Sequence, residues 1–178
     1  IAEISRVVVE HTAGRALAVT ADRHYNTVQA AAFARYAAEI GADVHMVLPP
    51  DWAASCTPET LCAHYAEVAR HIPVMIVTGV FATRGEDFGL RTLALARDRV
   101  ENVVAIKDDV CGPFARKMAL LLHDHWAVFS GGQKQNHMDM HPYGCDGYMS
   151  TFITFKPELA HRYWAAVQTN DIPAAAAV

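Results

Sequence analysis

Lys107 ends the run Val103-Val104-Ala105-Ile106-Lys107 and is followed directly by Asp108-Asp109. This sets an amine at the C-terminal end of a short apolar strand. A run this apolar reads as a strand buried on both faces of a parallel sheet. Burial removes the hydration that stabilises an ammonium, so a lysine there is expected to give up its proton easily and become nucleophilic. A neutral amine condenses with a keto group to form a Schiff base, an electron sink for making or breaking the adjacent carbon bond. The same position also suits a lysine whose stem packs while its amine snorkels to solvent, and the residue alone does not choose between the two.

Other clusters invite chemistry with less support. His123-Asp124-His125 and His137-Met138-Asp139-Met140-His141 raise the question of a metal. His137 and His141 fall an i, i+4 step apart, but no Glu stands beside His137 and Pro142 follows at once, so packing or solvated histidines are expected and no metal site. Ser130-Gly131-Gly132 lacks the Lys-Ser/Thr ending of a phosphate loop and the third glycine of a dinucleotide fingerprint. It reads as a small turn beside a substrate or, equally, as a turn that only packs. Cys56, Cys62, Cys111 and Cys145 show no Cys-x-x-Cys spacing, which points to reduced thiols without a catalytic role.

These residues need a scaffold, and the chain supplies one by repeating a strand, a polar turn and a helix. The expected strands are Ala16-Thr20, Val44-Leu48, Val74-Thr78, Val103-Lys107, Ala127-Ser130 and Gly147-Thr151, which implies a parallel α/β architecture. Helices between them are expected to bury Val28, Ala32, Tyr36 and Ile40; Leu61, Tyr65 and Val68; Phe114, Met118 and Leu121; and Leu159, Tyr163 and Val167. Asn26, Thr57, Pro113 and Pro157 mark helix starts, and Gly41 a helix end. Polar and small residues gather just after the strands: Thr20-Ala21-Asp22, Asp51-Trp52, Thr78-Gly79, Lys107-Asp108-Asp109, Ser130-Gly131 and Ser150-Thr151. In βα barrels the active site is assembled at that face.

With 178 residues, 52% of them hydrophobic, the chain suits one domain with a sizeable core. A net charge of -4 without a basic cluster argues against nucleic acid or an anionic membrane as partner. No stretch approaches a membrane span, and Ile1-Ala2-Glu3-Ile4-Ser5-Arg6 lacks the layout of a signal peptide. A cytoplasmic enzyme is the expectation.

Gly41-Ala42-Asp43 leading to Pro49-Pro50, then Ile72-Pro73-Val74-Met75-Ile76, Val103 to Asp108, Ser130-Gly131 and Gly144-Cys145-Asp146-Gly147-Tyr148-Met149-Ser150 fall in an order and spacing that is distinctive. With Lys156-Pro157-Glu158-Leu159 and Asn170-Asp171-Ile172, they resemble the dihydrodipicolinate synthase / N-acetylneuraminate lyase family of Schiff-base aldolases over nearly the whole chain. The resemblance implies a (β/α)8 TIM barrel of which this single domain holds about six βα units, strands three to eight. It implies an imine between Lys107 and pyruvate or another 2-oxo acid, with no cofactor, and a homo-oligomer, dimer or tetramer. The family's first two strands and their Gly-Thr-Thr-Gly-Glu motif have no counterpart in these residues. The expectation is therefore an incomplete record of a longer chain, with a natural half-barrel or a swapped assembly as alternatives.

The same resemblance implies that Ser130, Gly131, Gly147, Met149 and Ser150 line the substrate cavity. Val77 stands where the family places a proton-relaying tyrosine, which leaves Thr78 or a water as the expected substitute. Ala82 takes the place of the arginine that binds a second substrate, and Asp51-Trp52 that of a tyrosine pair. These departures argue against lysine biosynthesis. Ile106-Lys107-Asp108-Asp109 resembles the Lys-Asp-Gly stretch of sugar-acid dehydratases in this superfamily, and Phe152 to Glu158 leans the same way, which favours an aldolase or dehydratase acting on a 2-keto-3-deoxy sugar acid or related substrate; a catalytically silent relative that binds an oxo acid, or a structural or regulatory subunit, is the alternative.

Overall fold

A computed structural model describes residues 1–178. The element order is α1 (Ala2–Thr12), β1 (Val19–Ala21), α2 (Thr27–Glu39), β2 (Val44–Val47), α3 (Pro58–Ala69), β3 (Val74–Val77), α4 (Phe81–Arg84) and α5 (Glu86–Arg99). It continues with β4 (Val103–Asp108), α6 (Gly112–Leu122), β5 (Ala127–Ser130), α7 (Lys134–Met140), β6 (Gly147–Tyr148), α8 (Pro157–Gln168) and α9 (Ile172–Ala177). The six strands form one sheet in the order β1-β2-β3-β4-β5-β6, every pair parallel. Sequential parallel strands with helices between them make a partial (β/α) barrel, as the strand-turn-helix repeat predicts.

One layer of the core lies between sheet and helices. Val47, Val74, Ile76, Ile106 and Val128 point outward into it and meet Leu61, Tyr65, Val68, Leu93, Phe114, Met118 and Leu122. Each fully buried aliphatic side chain here contributes about 1.5–3 kcal/mol. The helix caps are as expected: Asn26 accepts from the Gln29 N–H at 2.9 Å, and Thr57 and Thr60 form a reciprocal capping box on α3.

The structure corrects several expected details. The buried face of α2 is Ala30, Ala31, Ala34 and Ala37, while Val28 is 80% exposed. Small residues let this helix approach the sheet closely, so the larger apolar side chains mark the wrong face. The first strand starts later, at Val19. Only Gly147 and Tyr148 of the last expected strand pair in the sheet, and Thr151–Thr154 winds into a 3-10 turn.

Register decides which way the central strand faces. Val74 pairs with Val103, but Met75 pairs with Ala105, so Val104 is an extra residue on β4. Such a bulge inverts the alternation beyond it. Counting from outward-facing Val103 without the bulge, Lys107 would point toward the helices. With it, Ile106 and Asp108 face outward, and Lys107 faces the barrel interior.

Candidate active site

Lys107 lies between Val77 and Phe129, its Cα partners on β3 and β5. Its side chain is 17% exposed, and its Nζ donates to both carboxylate oxygens of Asp109, at 2.6 and 2.7 Å. The amine is therefore held in an ion pair, an environment that the apolar strand alone does not announce. It borders a cavity of about 300 Å3 lined by Ile1, Ala21, Asp22, Arg23, Met46, Leu48, Val77 and Asp109. No other charged side chain is placed as close to the lysine nitrogen as Asp109.

The loop after β4 is fixed by a second acid. Asp108 is fully buried on the outer side of the sheet. Its Oδ1 accepts from the Thr78 hydroxyl at 2.8 Å and the Val110 N–H at 3.1 Å, and its Oδ2 from the Cys111 N–H at 2.8 Å. Burial pushes the Asp108 carboxyl up, partly offset by the Cys111 N–H and the Thr78 hydroxyl that stabilise its charge. These bonds turn the chain sharply into α6, with Cys111 at φ 69° and ψ -177°. Side chains rarely occupy that conformation, which stores strain in the turn.

Thr78 does not face the amine. It is fully buried, and its hydroxyl donates to Asp108 Oδ1 while accepting from the Asp109 N–H at 2.8 Å. Strand alternation places it opposite to Val77. The substitute role expected of Thr78 thus gives way to a different one, holding the backbone of Asp108 and Asp109 in place. Val77, buried beside Lys107, supplies no acid or base.

The other expected residues divide. Gly131 is packed into the lysine site: its N–H donates to the Asp108 carbonyl at 2.7 Å, and a Cβ there would lie 2.1 Å from Asp109 Oδ1 and 3.1 Å from Lys107 Nζ. Ser130 is fully buried, its hydroxyl 3.2 Å from the Gly131 carbonyl and its own carbonyl accepting from the Met149 N–H at 2.8 Å. Gly147 and Ser150 border a different cavity of about 330 Å3 with Phe129, Ile153 and Trp164. Ser150 also caps the 3-10 turn through the Phe152 N–H. The cavity bordering Lys107 instead draws on Asp22, Met46 and Leu48. Of these, the sequence marked Thr20-Ala21-Asp22 by its place after a strand, but nothing in it marked Met46.

His123 and His125 are exposed, while His137 packs inside. His137 is fully buried, its Nδ1 is 2.7 Å from the Tyr163 hydroxyl, and its ring packs against His141, Tyr148 and Trp164. Burial holds its imidazole down at about 4, and that of His64 similarly at about 4.

Residues 2–178 match the model of the dihydrodipicolinate synthetase family. A 4-hydroxy-tetrahydrodipicolinate synthase of Thermoanaerobacter sp. (strain X514) is 26% identical over 170 residues, which are 94% of this chain and 56% of that protein. A protein of Bradyrhizobium sp. (strain ORS 278), named a probable 5-dehydro-4-deoxyglucarate dehydratase, is 29% identical over 174 residues, 95% of this chain and 54% of its own length. Among solved structures, a prophage protein of the dihydrodipicolinic acid synthase family from E. coli K12, in complex with pyruvate, superposes with a TM-score of 0.84 at 20% identity. That match covers 99% of this chain and 60% of that one. Dihydrodipicolinate synthase from Aquifex aeolicus gives a TM-score of 0.79 at 21% identity, over 98% and 59%. The chain thus spans a little over half the length of these relatives. By its match along nearly every residue and its shared barrel topology, it belongs to the dihydrodipicolinate synthetase family.

Proposed function

We propose that the protein is a Schiff-base-forming lyase, an aldolase or dehydratase, acting through Lys107 on pyruvate or a 2-oxo acid like a 2-keto-3-deoxy sugar acid. The observation that carries this reading is the inward-facing Lys107 amine at the edge of a cavity of about 300 Å3 at the C-terminal end of the sheet. A cavity of this size suits a small oxo acid. Family membership supports the imine, and the relatives named as dehydratases and synthases support a carbon–oxygen or carbon–carbon lyase. Within this reading Gly131 keeps the lysine site open, and Ser130 and Met149 support the loop that carries it. Gly147 and Ser150 would contact only a longer substrate.

A panel of 2-oxo acids, followed by thermal shift and by product release in parallel, tests the proposal. The expected outcome is stabilisation by at least one member together with turnover that Lys107→Ala abolishes. Val77 beside Lys107 favours a second reading, a silent relative that binds an oxo acid; stabilisation without any turnover would select it. Cytoplasmic location is part of the first reading and is supported by four unpaired cysteines. So is assembly as a homo-oligomer, dimer or tetramer, which rests on the family likeness and is checked by sedimentation. No helix is long and apolar enough to cross a membrane.

A further inference from the structure

Forming an imine moves protons on and off both nitrogen and oxygen, so an amine needs an acid-base partner within hydrogen-bond reach. The side chains around the Lys107 cavity narrow the choice sharply. The side chains of Ile1, Ala21, Met46, Leu48 and Val77 carry no exchangeable proton, and the Arg23 guanidinium offers donors but no acceptor. Thr78 is on the far side of the sheet with its hydroxyl engaged. Asp22 is 3% exposed, accepts from the His24 N–H at 3.3 Å and turns its other oxygen toward His45 Nε2 at 3.4 Å. Asp109 remains, with both oxygens on the amine.

The surroundings of Asp109 are arranged around that contact. Its backbone N–H is held by Thr78, and its Oδ1 occupies the space that any side chain at position 131 would fill. At 35% exposed, the carboxylate also reaches solvent, through which it can exchange protons.

We propose that Asp109 is the general acid-base catalyst of the Lys107 site. This rests on the imine reading of Lys107. In the step envisaged, Asp109 takes a proton from the Lys107 ammonium, and the freed amine attacks the keto carbon, forming a C–N bond as the carbonyl electron pair moves to oxygen. Asp109 delivers its proton to that oxygen and recovers one from the nitrogen, leaving a neutral carbinolamine. It then protonates the hydroxyl, which departs as water as the nitrogen lone pair forms the C=N bond. The balance is one ammonium and one ketone giving one iminium and one water, with Asp109 again a carboxylate.

A counter-ion and a proton carrier predict opposite signs. A carboxylate that only neutralises an amine favours its charged, unreactive form, so removing it speeds attack. A carboxylate that shuttles protons slows the reaction when removed, by roughly 10²-fold or more. The experiment is rapid-quench borohydride trapping of radiolabelled pyruvate on the wild-type chain, Asp109→Asn and Asp109→Ala, with folding checked by circular dichroism. The proposal expects a wild-type adduct on Lys107, adduct formation slowed by roughly 10²-fold or more in Asp109→Asn, and partial rescue of Asp109→Ala by added formate. Wild-type trapping with Asp109→Asn equal or faster, or without formate rescue of Asp109→Ala, overturns the role of Asp109 while leaving the imine standing. A wild-type chain that traps no pyruvate on Lys107 overturns the imine, and this role with it.

Discussion

The ends of β4 and β6 both hold residues expected to form the site, yet they are built differently. After β4, bonds from the ends of three strands converge: Thr78 just after β3, Asp108 at the end of β4 with Asp109 beyond it, and Gly131 after β5 join side chain to backbone around one amine. After β6, Met149 is tied to Ser130, Ser150 caps its own turn, and the 3-10 turn that follows leaves Ile153 and Phe155 exposed. The difference separates a place where geometry is fixed before a substrate arrives from one where a substrate or another part of the protein would complete the surface. Preorganisation of this kind is what acid-base and nucleophilic catalysis require.

Acid should separate the two ends most clearly. His137 packs the β6 end, and burial lowers its folded-state value from 6.5 to about 4. Its neutral form contributes stability that is complete above pH 6.5 and is lost as pH falls toward 4, about 3 kcal/mol in all. Asp108 has the opposite sign: its carboxyl is raised by burial, so protonation in acid favours the folded state. Hydrogen exchange between pH 7 and pH 4.5 is expected to show α7 and α8 losing protection before the segment from β4 into α6. The reverse order would break the comparison.

Replacing Asp108 by Ala leaves the Thr78 hydroxyl and the N–H groups of Val110 and Cys111 without their acceptor. A loss of about 3 kcal/mol is expected in denaturant unfolding. Gly131→Ala forces a Cβ to within 2.6 Å of the Asp108 carbonyl as well as onto Asp109, and should lower turnover by about 10²-fold through displacement of the lysine pair. Gly147→Ala meets the Phe129 ring at 3.1 Å and the edge of Trp164 at 4.0 Å, with no backbone or lysine-site atom in the way, and is expected to change turnover less than threefold. Ser150→Ala removes one capping bond and should cost about 0.5–1 kcal/mol of stability, with the oxo-acid response unchanged.

Much of this was legible in the sequence where a residue type has one strong physical meaning. An apolar run ending in lysine marked β4, and Asn26 and Thr57 marked helix starts because their side chains satisfy free N–H groups. The buried face of α2 was not legible, since close packing selects alanines and sets Val28 in solvent. Helix α5 escaped because Glu86, Asp87, Arg91, Arg97, Asp98 and Arg99 mask a narrow buried stripe around Leu93. The direction of Lys107 depends on the bulge at Val104, and the role of Asp109 on a turn set by Asp108; neither leaves a mark in spacing.

Every proposed step runs through Lys107 as a nucleophile toward a 2-oxo acid. Borohydride reduction of the protein with saturating pyruvate, followed by peptide mass mapping, tests it most directly. A nucleophilic Lys107 gives a single reduced pyruvate adduct on the peptide that carries it, absent in Lys107→Ala. An unmodified Lys107 peptide, or an adduct that persists in Lys107→Ala, would contradict it.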